Sequence, residues 1–486
     1  MKYMLLIFFL LSQVGMAKPP NILFIVVDDL RPMLGCYGDK QVKSPNIDRL
    51  AANGIVFERA HVQQAICSAS RASFLTGCRP QSTGVNFPYT PWFNEVFRKQ
   101  YLTLPKLMDS QGYYTRTLGK IHHGPADEDL SEAHYTHDKS GFCTAANLAA
   151  YNASKKKNTK AVKPWEHADL ADDVYEDGKI AEQTIQTMRR AVKSDKPFFI
   201  AAGFLKPHLP FVCPKKYYHL YDPKTIQVSN NPSLASHQDP ISIALKSGVR
   251  KWWKFNKGID DKNARQLIHS YMACVSFVDA QVGKVLNELD ELGIRDETIV
   301  FFLSDHGWHL GDHGHWGKAT NFELATRTPL IISLPEMKGK KLRTNALVEF
   351  VDLYPTIAEL AQIPRASYLE GNSLLPLLED PSRKWKSAVF SQYPRGKNKE
   401  GFSVRDEAWR YTEWRTRSEN EVFFKELYHN SIDPQESKNL AGDPAYSDQL
   451  AKMQLKLKQG WKQALPKGVM NSSSLEAGDD SWYKRK

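Results

Sequence analysis

Short, continuous runs of apolar residues recur along the chain and predict the strands of a parallel sheet. Asn21 to Val27 reads NILFIVV, Phe198 to Phe204 reads FFIAAGF, and Thr298 to Leu303 reads TIVFFL. Runs of this length without alternating polar positions are typical of strands that are buried on both faces. An apolar repeat of helical period from Asn263 to Leu292 predicts one or two long helices. The pattern therefore predicts an α/β protein with a large, mostly parallel sheet.

Shorter segments add further helix and strand pairs to this sheet. A helix opens at Ser44-Pro45, with serine as the cap and proline at its first position, and a strand over Ile55 to His61 follows it. A second helix over Leu104 to Gly112 precedes a strand over Tyr113 to Leu118. These pairs extend the alternation of helices and strands that a parallel sheet requires.

The pattern changes twice along the chain. The stretch 134–196 is polar and rich in lysine, and we interpret it as an insertion that ends in a helix over Asp173 to Val192. After about residue 370, apolar runs shorten, Phe402 to Trp414 alternates like strands, and Tyr446 to Lys462 is predicted to be helical. The predicted units are a signal peptide over residues 1–17, a large α/β domain over 18–370, and a smaller subdomain with an antiparallel sheet over 371–486.

The first 17 residues have the pattern of a cleavable signal peptide. Lys2 precedes an apolar core from Met4 to Leu11, and the small residues Gly15 and Ala17 follow. The apolar core is too short to span a bilayer, so export to the periplasm or the medium is predicted, with an uncleaved anchor as the alternative. A formal net charge of +11 attracts polyanions. The sequence has no nucleic-acid recognition motif, so an anionic polysaccharide suits this charge better than nucleic acid.

The most informative short stretch is the loop and helix around Cys67. The sequence from Ile66 to Gly77 reads ICSASRASFLTG, which predicts a loop entering a helix with Cys67 near its N-terminus. Free N–H groups there favour an anion, and Arg71, one turn further on, carries a guanidinium suited to a tetrahedral oxyanion. A packed structural cysteine with a solvated arginine is the alternative interpretation.

Polar residues also follow three of the predicted strands. Asp28-Asp29 comes after the first, Lys120 with His122 and His123 after the strand ending at Leu118, and Asp305-His306 after the strand ending at Leu303. Ligands of open α/β sheets bind at the carboxyl ends of strands. Adjacent carboxylates there could bind a hard cation or simply form a turn, and a histidine there could transfer a proton.

Several of these stretches resemble the formylglycine-dependent type I sulfatases. C-S-A-S-R with a downstream T-G is similar to the family signature C-x-[PA]-S-R, with Ala69 where many members have proline. K-P-H-L-P-F around His208, and S-D-H-G-W-H-L-G followed by W-G-K and N-F-E, resemble the iduronate-2-sulfatase-like members. The carboxyl-terminal E-L-Y and D-P-x-E patterns resemble the family too. The motifs follow the family's order from about Pro20 to Pro444.

This resemblance implies a fold, a reaction and a set of site residues. The fold would be alkaline-phosphatase-like, and the reaction would be hydrolysis of a sulfate ester by the hydrated aldehyde of a formylglycine made from Cys67. The implied ligands of a divalent cation are Asp28, Asp29, Cys67, Asp305 and His306, with calcium favoured over magnesium or manganese. The implied catalytic residues are Cys67, Arg71, Lys120, His123, His208 and Lys318.

Some roles stay open within the resemblance. The wider family reads G-K-x-H, which selects His122, whereas the iduronate-2-sulfatase-like members read K-x-x-H, which selects His123. His208 is expected to protonate the departing oxygen. If Cys67 is modified, the other five cysteines allow at most two disulfides. Ala69 leaves open whether a formylglycine-generating enzyme or a radical enzyme matures the chain, and its oligomeric state is not predicted.

Two rival functions remain at this point. A phosphatase or phosphodiesterase of the same architecture would ordinarily carry serine or threonine at position 67, and Cys67 followed by Arg71 disfavours it. A non-catalytic protein that binds sulfated glycans would not need the complete set of cation and proton-transfer residues. The expected substrate is a sulfated carbohydrate, from a glycosaminoglycan or an algal polysaccharide.

Overall fold

A computed structural model describes most of the chain. The described residues are 19–86, 101–124, 128–134, 141–156, 162–244, 248–252 and 259–469. The predicted signal peptide, residues 1–17, lies outside them. Within these ranges, none of the helices combines the length and the apolar content that crossing a bilayer requires.

Fourteen strands are present among the described residues. They are β1 Asn21–Val27, β2 Ile55–His61, β3 Tyr114–Gly119, β4 Ser131–His134, β5 Trp165–Ala168, β6 Phe198–Phe204, β7 Phe211–Pro214, β8 Thr298–Ser304, β9 Leu330–Ser333, β10 Leu342–Glu349, β11 Val389–Arg395, β12 Lys399–Arg405, β13 Trp409–Thr416 and β14 Val422–His429. Eight of them form one sheet in the order β10-β2-β9-β8-β1-β6-β3-β4, and all neighbours pair in parallel except β9, which is antiparallel to β2 and β8.

The α-helices of the described ranges vary widely in length. They are Pro45–Ala52, Cys67–Thr76, Pro80–Thr83, Leu104–Ser110, Ala145–Lys156, Glu176–Ala191, Lys215–Tyr218, Val249–Trp252, Asp261–Glu291, Glu323–Thr326, Leu353–Leu360, Leu375–Glu379 and Ser447–Gln463. The predicted long helical segment is thus one continuous helix of 31 residues, from Asp261 to Glu291.

The centre of the large sheet explains why its strands are uniformly apolar. Every residue of β1, β6 and β8 is buried, since helices cover both faces. One apolar cluster contains Leu23 and Ile25 of β1, and a second on the opposite face contains Ile22 and Phe24. Because β1 pairs in parallel with both β6 and β8, the carboxyl ends of the three strands lie side by side.

The carboxyl-terminal region forms a second, antiparallel sheet. Strands β11 to β14 pair with their sequence neighbours in the order β11-β12-β13-β14. Helix Ser447–Gln463 packs on this sheet through Met453, Leu457 and Trp461, which share an apolar cluster with Val404. The predicted antiparallel sheet with a terminal helix is therefore present.

The structure departs from the sequence expectations at local points. The stretch 134–196 contains helix Ala145–Lys156 as well as strand β5, which pairs in parallel with β7 outside the main sheet. The hydroxyl of Ser44 does not cap its helix; it accepts from the Gly35 N–H and donates to Asp48 instead. All six cysteines lie among the described residues, and none of them forms a disulfide.

Candidate active site

Four side chains that could bind a cation meet where β1 and β8 end. Asp28 and Asp29 follow β1, and Asp305 and His306 follow β8. The N–H of Asp29 donates to Asp305 Oδ1 at 3.1 Å, and Asp29 has a φ of 64°, so the backbone turns sharply at this point. One ligand atom from each of these four residues and Cys67 Sγ all lie within 4.8 Å of one another. The parallel pairing of the two strands thus creates the cluster.

Cys67 lies at the centre of this group. It is the first residue of helix Cys67–Thr76, whose capping residue is Ile66. Its Sγ lies 3.3 Å from Asp28 Oδ1, 3.3 Å from His306 Nε2 and 2.8 Å from Lys318 Nζ. Burial, together with the charge of Asp28, raises the pKa of the thiol well above its ordinary value. The unmodified cysteine is therefore a neutral thiol and a poor nucleophile.

Three cationic side chains surround the carboxylates and Cys67. Arg71 is fully buried and bonds through Nε to Asp305 Oδ2 at 2.9 Å and through Nη2 to Asp28 Oδ1 at 3.3 Å. Lys120 contacts Asp28 and lies 3.8 Å from Cys67 Sγ. The guanidinium of Arg71 also donates to the carbonyls of Lys120 and Ile121, and its predicted role toward an oxyanion stays a prediction.

Lys318 is the cation in closest contact with Cys67. Besides the 2.8 Å contact to Sγ, its Nζ donates to Asp29 Oδ1 and lies 5.8 Å from the centre of the Trp308 ring. Burial alone would lower the pKa of Lys318, but Asp29 and the neighbouring groups outweigh it and raise this pKa well above the ordinary value. Lys318 therefore stays charged when the site is formed.

The histidines predicted to transfer protons lie around the same centre. His208 is partly exposed, its Nδ1–H donates to the Leu209 carbonyl at 2.7 Å, and its Nε2 lies 3.9 Å from Asp29 Oδ2. Partial burial of the ring, together with the positive charges of Lys120 and Lys318, lowers the pKa of His208 well below its ordinary value, although the charge of Asp28 opposes this shift. His122 is buried and His123 half-buried in the turn beyond Lys120. The choice between these two stays a prediction.

The donor set fits a divalent cation. His306 Nδ1 lies 3.0 Å from the Gly307 carbonyl, which can only accept, so Nδ1 carries the proton and the Nε2 lone pair faces the cluster. Burial raises the pKa of Asp29 to about 6, and burial with the charge of Asp28 raises that of Asp305 to about 7. Within the described residues, Asp29 Oδ2 is buried without a hydrogen-bond partner. A cation would satisfy this oxygen and relieve the repulsion.

Sequence reasoning missed residues that hold these ligands in place. The Tyr271 hydroxyl donates to the Asp29 carbonyl at 2.8 Å and accepts from the Arg31 N–H at 3.0 Å. The Ser70 hydroxyl donates to the Asp305 carbonyl. Ser70 belongs to the recognised signature, but Tyr271 is a single polar position on a long helix, and no motif marks it.

Known proteins resemble the chain in sequence and in fold. The Sulfatase family model matches residues 20–363, and a model described as N-sulphoglucosamine sulphohydrolase, C-terminal, matches residues 311–463. Iduronate 2-sulfatase of Homo sapiens is 33% identical, over 88% of this chain and 92% of that protein. A sulfatase of Formosa agariphila is 30% identical, over 87% of this chain and 83% of that protein.

Solved structures give the same architecture. The structure of BT4656 in complex with its substrate D-glucosamine-2-N,6-O-disulfate superposes with a TM-score of 0.75 at 22% identity, covering 92% of this chain and 98% of that one. A phosphonate monoester hydrolase of Agrobacterium radiobacter gives a TM-score of 0.74 at 22% identity, covering 92% of this chain and 96% of that one. At this level of identity, the two structures establish the alkaline-phosphatase-like fold alone.

Proposed function

This chain belongs to the sulfatase family and is a sulfuric ester hydrolase, and we propose that it removes sulfate from a sulfated carbohydrate through a formylglycine made from Cys67. The observation that carries the proposal is the convergence of two carboxylates, an imidazole and Lys318 on the Cys67 side chain. Relatives named iduronate 2-sulfatase and ulvan-active sulfatase support a substrate from a glycosaminoglycan or an algal polysaccharide.

Asp28, Asp29, Asp305 and His306 would hold a divalent cation together with the modified residue 67. Three hard carboxylates and one imidazole favour calcium over magnesium or manganese. When bound, the cation supplies positive charge beside the sulfate oxygens, and this charge lowers the repulsion that an anionic ester presents to a nucleophile.

The formylglycine hydrate would supply the nucleophilic hydroxyl, which a buried neutral thiol does not. Lys318 and Lys120 both lie within 3.8 Å of Cys67 Sγ, and we propose that they stabilise charge on the sulfate oxygens in the transition state. Arg71 holds Asp28 and Asp305 in position through its two ion pairs. The charge of the site is thus arranged before the substrate arrives.

His208 is proposed to protonate the leaving oxygen of the sugar. Its Nδ1–H is occupied by the Leu209 carbonyl, so only Nε2 can exchange a proton with the substrate. The free imidazole is neutral because burial lowers its pKa, and an anionic sulfate ester beside it raises that pKa again. His123, or His122 in its place, is proposed to take the second hydroxyl proton when sulfate is released.

Maturation and export complete the proposal. A formylglycine-generating enzyme or a radical enzyme would have to accept Ala69 within the signature, and the chain would act in the periplasm or the medium after loss of residues 1–17. The basic charge of the chain favours a polyanionic substrate in either place.

Mass spectrometry of the purified protein tests the proposal directly. Trypsin releases the peptide from Ala60 to Arg71, which contains Cys67 alone, and the following peptide begins at Ala72 and contains Cys78. We expect an aldehyde at residue 67 and an intact thiol at Cys78, which serves as the internal control. An active enzyme whose residue 67 is entirely thiol would overturn the proposal.

The substrate class and the rival functions need a separate assay. Defined sulfated oligosaccharides should release inorganic sulfate, and 4-nitrophenyl sulfate should be cleaved faster than 4-nitrophenyl phosphate. Preference for the phosphate ester would favour a phosphatase. Tight glycan binding without any sulfate release, in protein shown to carry the aldehyde, would favour a non-catalytic binding protein.

A further inference from the structure

The backbone that carries Lys318 is held in an unfavourable conformation. Lys318 reaches Cys67 Sγ and Asp29 from a loop between β8 and β9. The next residue, Ala319, has a φ of 69°, a left-handed conformation that a residue with a Cβ atom rarely adopts. Such a conformation persists only where the surroundings impose it. The position of Lys318 therefore depends on the contacts that hold this turn in place.

Three hydrogen bonds hold the turn from different parts of the chain. His315 Nε2 donates to the Lys318 carbonyl at 2.5 Å, and the Ala319 N–H donates to the Ala65 carbonyl at 3.1 Å. Arg395 Nη2 donates to the Ala319 carbonyl at 2.6 Å. The first bond is local, and the second comes from the segment leading to Cys67. The third comes from β11 of the carboxyl-terminal sheet.

Arg395 binds backbone carbonyls rather than a carboxylate. It also donates to the carbonyls of Ile241 at 2.9 Å and Ser242 at 3.1 Å, and its guanidinium lies 4.7 Å from the ring centre of Tyr393. Across the residues that the structure describes, no carboxylate forms an ion pair with Arg395. Its hydrogen-bond partners within the described ranges are all backbone carbonyls. Hydrogen bonds from a charged donor are strong and directional, so they fix the backbone around Arg395.

We infer that Arg395 is a positioning residue for Lys318, through which the carboxyl-terminal sheet sets the geometry of the active site. This inference rests on the proposed role of Lys318 in sulfate-ester hydrolysis. Without Arg395, the turn loses the bond to the Ala319 carbonyl, Ala319 can relax toward negative φ, and Lys318 Nζ moves away from residue 67. The loss would appear in catalysis although Arg395 touches neither Cys67 nor the cation ligands.

Steady-state kinetics with 4-nitrophenyl sulfate tests the inference. Arg395→Gln should lower kcat by about 10- to 100-fold, since displacing a catalytic group by about 1 Å has effects of this size. Arg395→Lys can still donate to the Ala319 carbonyl and should recover part of the loss. Arg417→Gln is the matched control, because Arg417 lies just beyond β13 and pairs with Glu400, away from this turn. Arg417→Gln should keep the wild-type kcat.

A double-mutant cycle with Lys318 separates positioning from a structural role. Arg395→Gln should have no further effect on kcat once Lys318→Gln is present, since both changes remove the same interaction. An equal fold-loss in both backgrounds would overturn the inference. Wild-type activity in Lys318→Gln alone would instead refute the proposed role of Lys318.

Two alternatives keep the cycle measurable. If Arg395→Gln does not fold, Arg395→Lys replaces it in the same cycle. If Lys318→Gln turns over too slowly, binding of inorganic sulfate to Cys67→Ala protein replaces kcat as the readout. Arg395→Gln should then weaken sulfate binding only where Lys318 is present, and equal weakening in both backgrounds would again overturn the inference.

Discussion

Among the buried clusters of charge in the described residues, two differ in how their groups are satisfied. The site cluster consists of Asp28, Asp29, Asp305, Arg71, Lys120 and Lys318. The junction cluster consists of Arg79, Glu349, Asp352 and Lys386, and it lies where the large sheet meets the carboxyl-terminal region. The formal charges sum to zero in both, so net charge does not distinguish them.

The carboxylates of the junction cluster are satisfied without any ligand, although Arg79 Nε is buried without a hydrogen-bond partner among the described residues. Arg79 bonds to both oxygens of Glu349, at 2.8 and 2.7 Å, and Lys386 bonds to Glu349 at 2.9 Å and Asp352 at 2.7 Å. Burial alone would raise the pKa of Glu349, but Arg79 and Lys386 outweigh it and hold this pKa well below its ordinary value. Burial raises the pKa of Asp352, the other carboxyl of the cluster, so the ionised form is favoured at Glu349.

The site cluster is incomplete in the protein alone. Its three carboxylates crowd together, burial raises the pKa of Asp29 and Asp305, and Asp29 Oδ2 has no hydrogen-bond partner among the described residues. A divalent cation alone would give this cluster a positive net charge, and a doubly charged sulfate anion would return the net charge to zero. The junction cluster pairs its carboxylates within the protein, whereas the site cluster leaves a buried carboxylate oxygen without a partner, as the proposed binding of a cation and a sulfate requires.

The largest expected effect is on activity at the site cluster. Cys67→Ala removes the only precursor of the formylglycine, so turnover should fall by about 10⁶-fold or more, to the level without catalysis. The free energy of unfolding should change by only about 1 kcal/mol, since one small side chain is lost. Activity assays and chemical denaturation measure the two effects. Substantial turnover in this variant would remove the distinction between the clusters.

The junction cluster should show the opposite behaviour. Glu349→Gln removes the negative charge that pairs with the buried cations Arg79 and Lys386. It should lower the free energy of unfolding by about 3–5 kcal/mol. Asp129→Asn is the matched control, because it makes the same change in an exposed pair with Lys106 and should have an effect of about 0–1 kcal/mol. Below its melting temperature, Glu349→Gln should keep its kcat. A kcat loss in fully folded protein would show that the junction cluster serves catalysis as well.

Calcium should stabilise the protein through the site cluster. After chelation, calcium at about 100 times its dissociation constant should raise the free energy of unfolding by about 2.7 kcal/mol and restore activity. Asp29→Asn removes one ligand charge and should abolish most of this shift at the same calcium concentration. Thermal melts with and without chelator measure it. An equal calcium shift in Asp29→Asn protein would place the cation elsewhere.

The pH dependence of stability isolates the contribution of Glu349. Its pKa is depressed in the folded state, so its contribution is present above the ordinary value of 4.5 and is lost as pH falls toward the folded pKa. The difference in unfolding free energy between wild type and Glu349→Gln should therefore shrink by about 2 kcal/mol between pH 7 and pH 3. A difference that stays constant over this range would mean that Glu349 is not held ionised by Arg79 and Lys386.

The same comparison explains what could be predicted from sequence. Strands β1 and β6 were predicted with their observed bounds, because a strand buried on both faces needs an unbroken apolar run. The resemblance implied the grouping of Asp28 with Asp305, and the parallel pairing of their strands, which brings the carboxyl ends to one edge, produces it. The roles within that group still rest on the resemblance and stay predictions.

Other features depend on tertiary packing that leaves no local pattern. The residues of the junction cluster are spread from Arg79 to Lys386, and nothing in their sequence surroundings indicates that they pair. The pairing of β5 with β7 and the antiparallel direction of β9 likewise depend on how distant segments pack. Arg395 extends from the antiparallel sheet to the turn at Ala319. Its partners are backbone carbonyls, which any residue could provide.

The smallest expected effect concerns Ala69, an uncharged residue of the signature. Ala69 is the third residue of helix Cys67–Thr76, a position whose N–H has no partner within the helix, so proline fits there. Ala69→Pro should change the free energy of unfolding by about 0.4–1 kcal/mol, mainly through the unfolded chain. The aldehyde fraction at residue 67 should rise if the host's maturation enzyme prefers the commoner signature, while kcat per aldehyde stays constant. A changed kcat per aldehyde would show that residue 69 shapes the site itself, and the site cluster would then extend beyond its charged members.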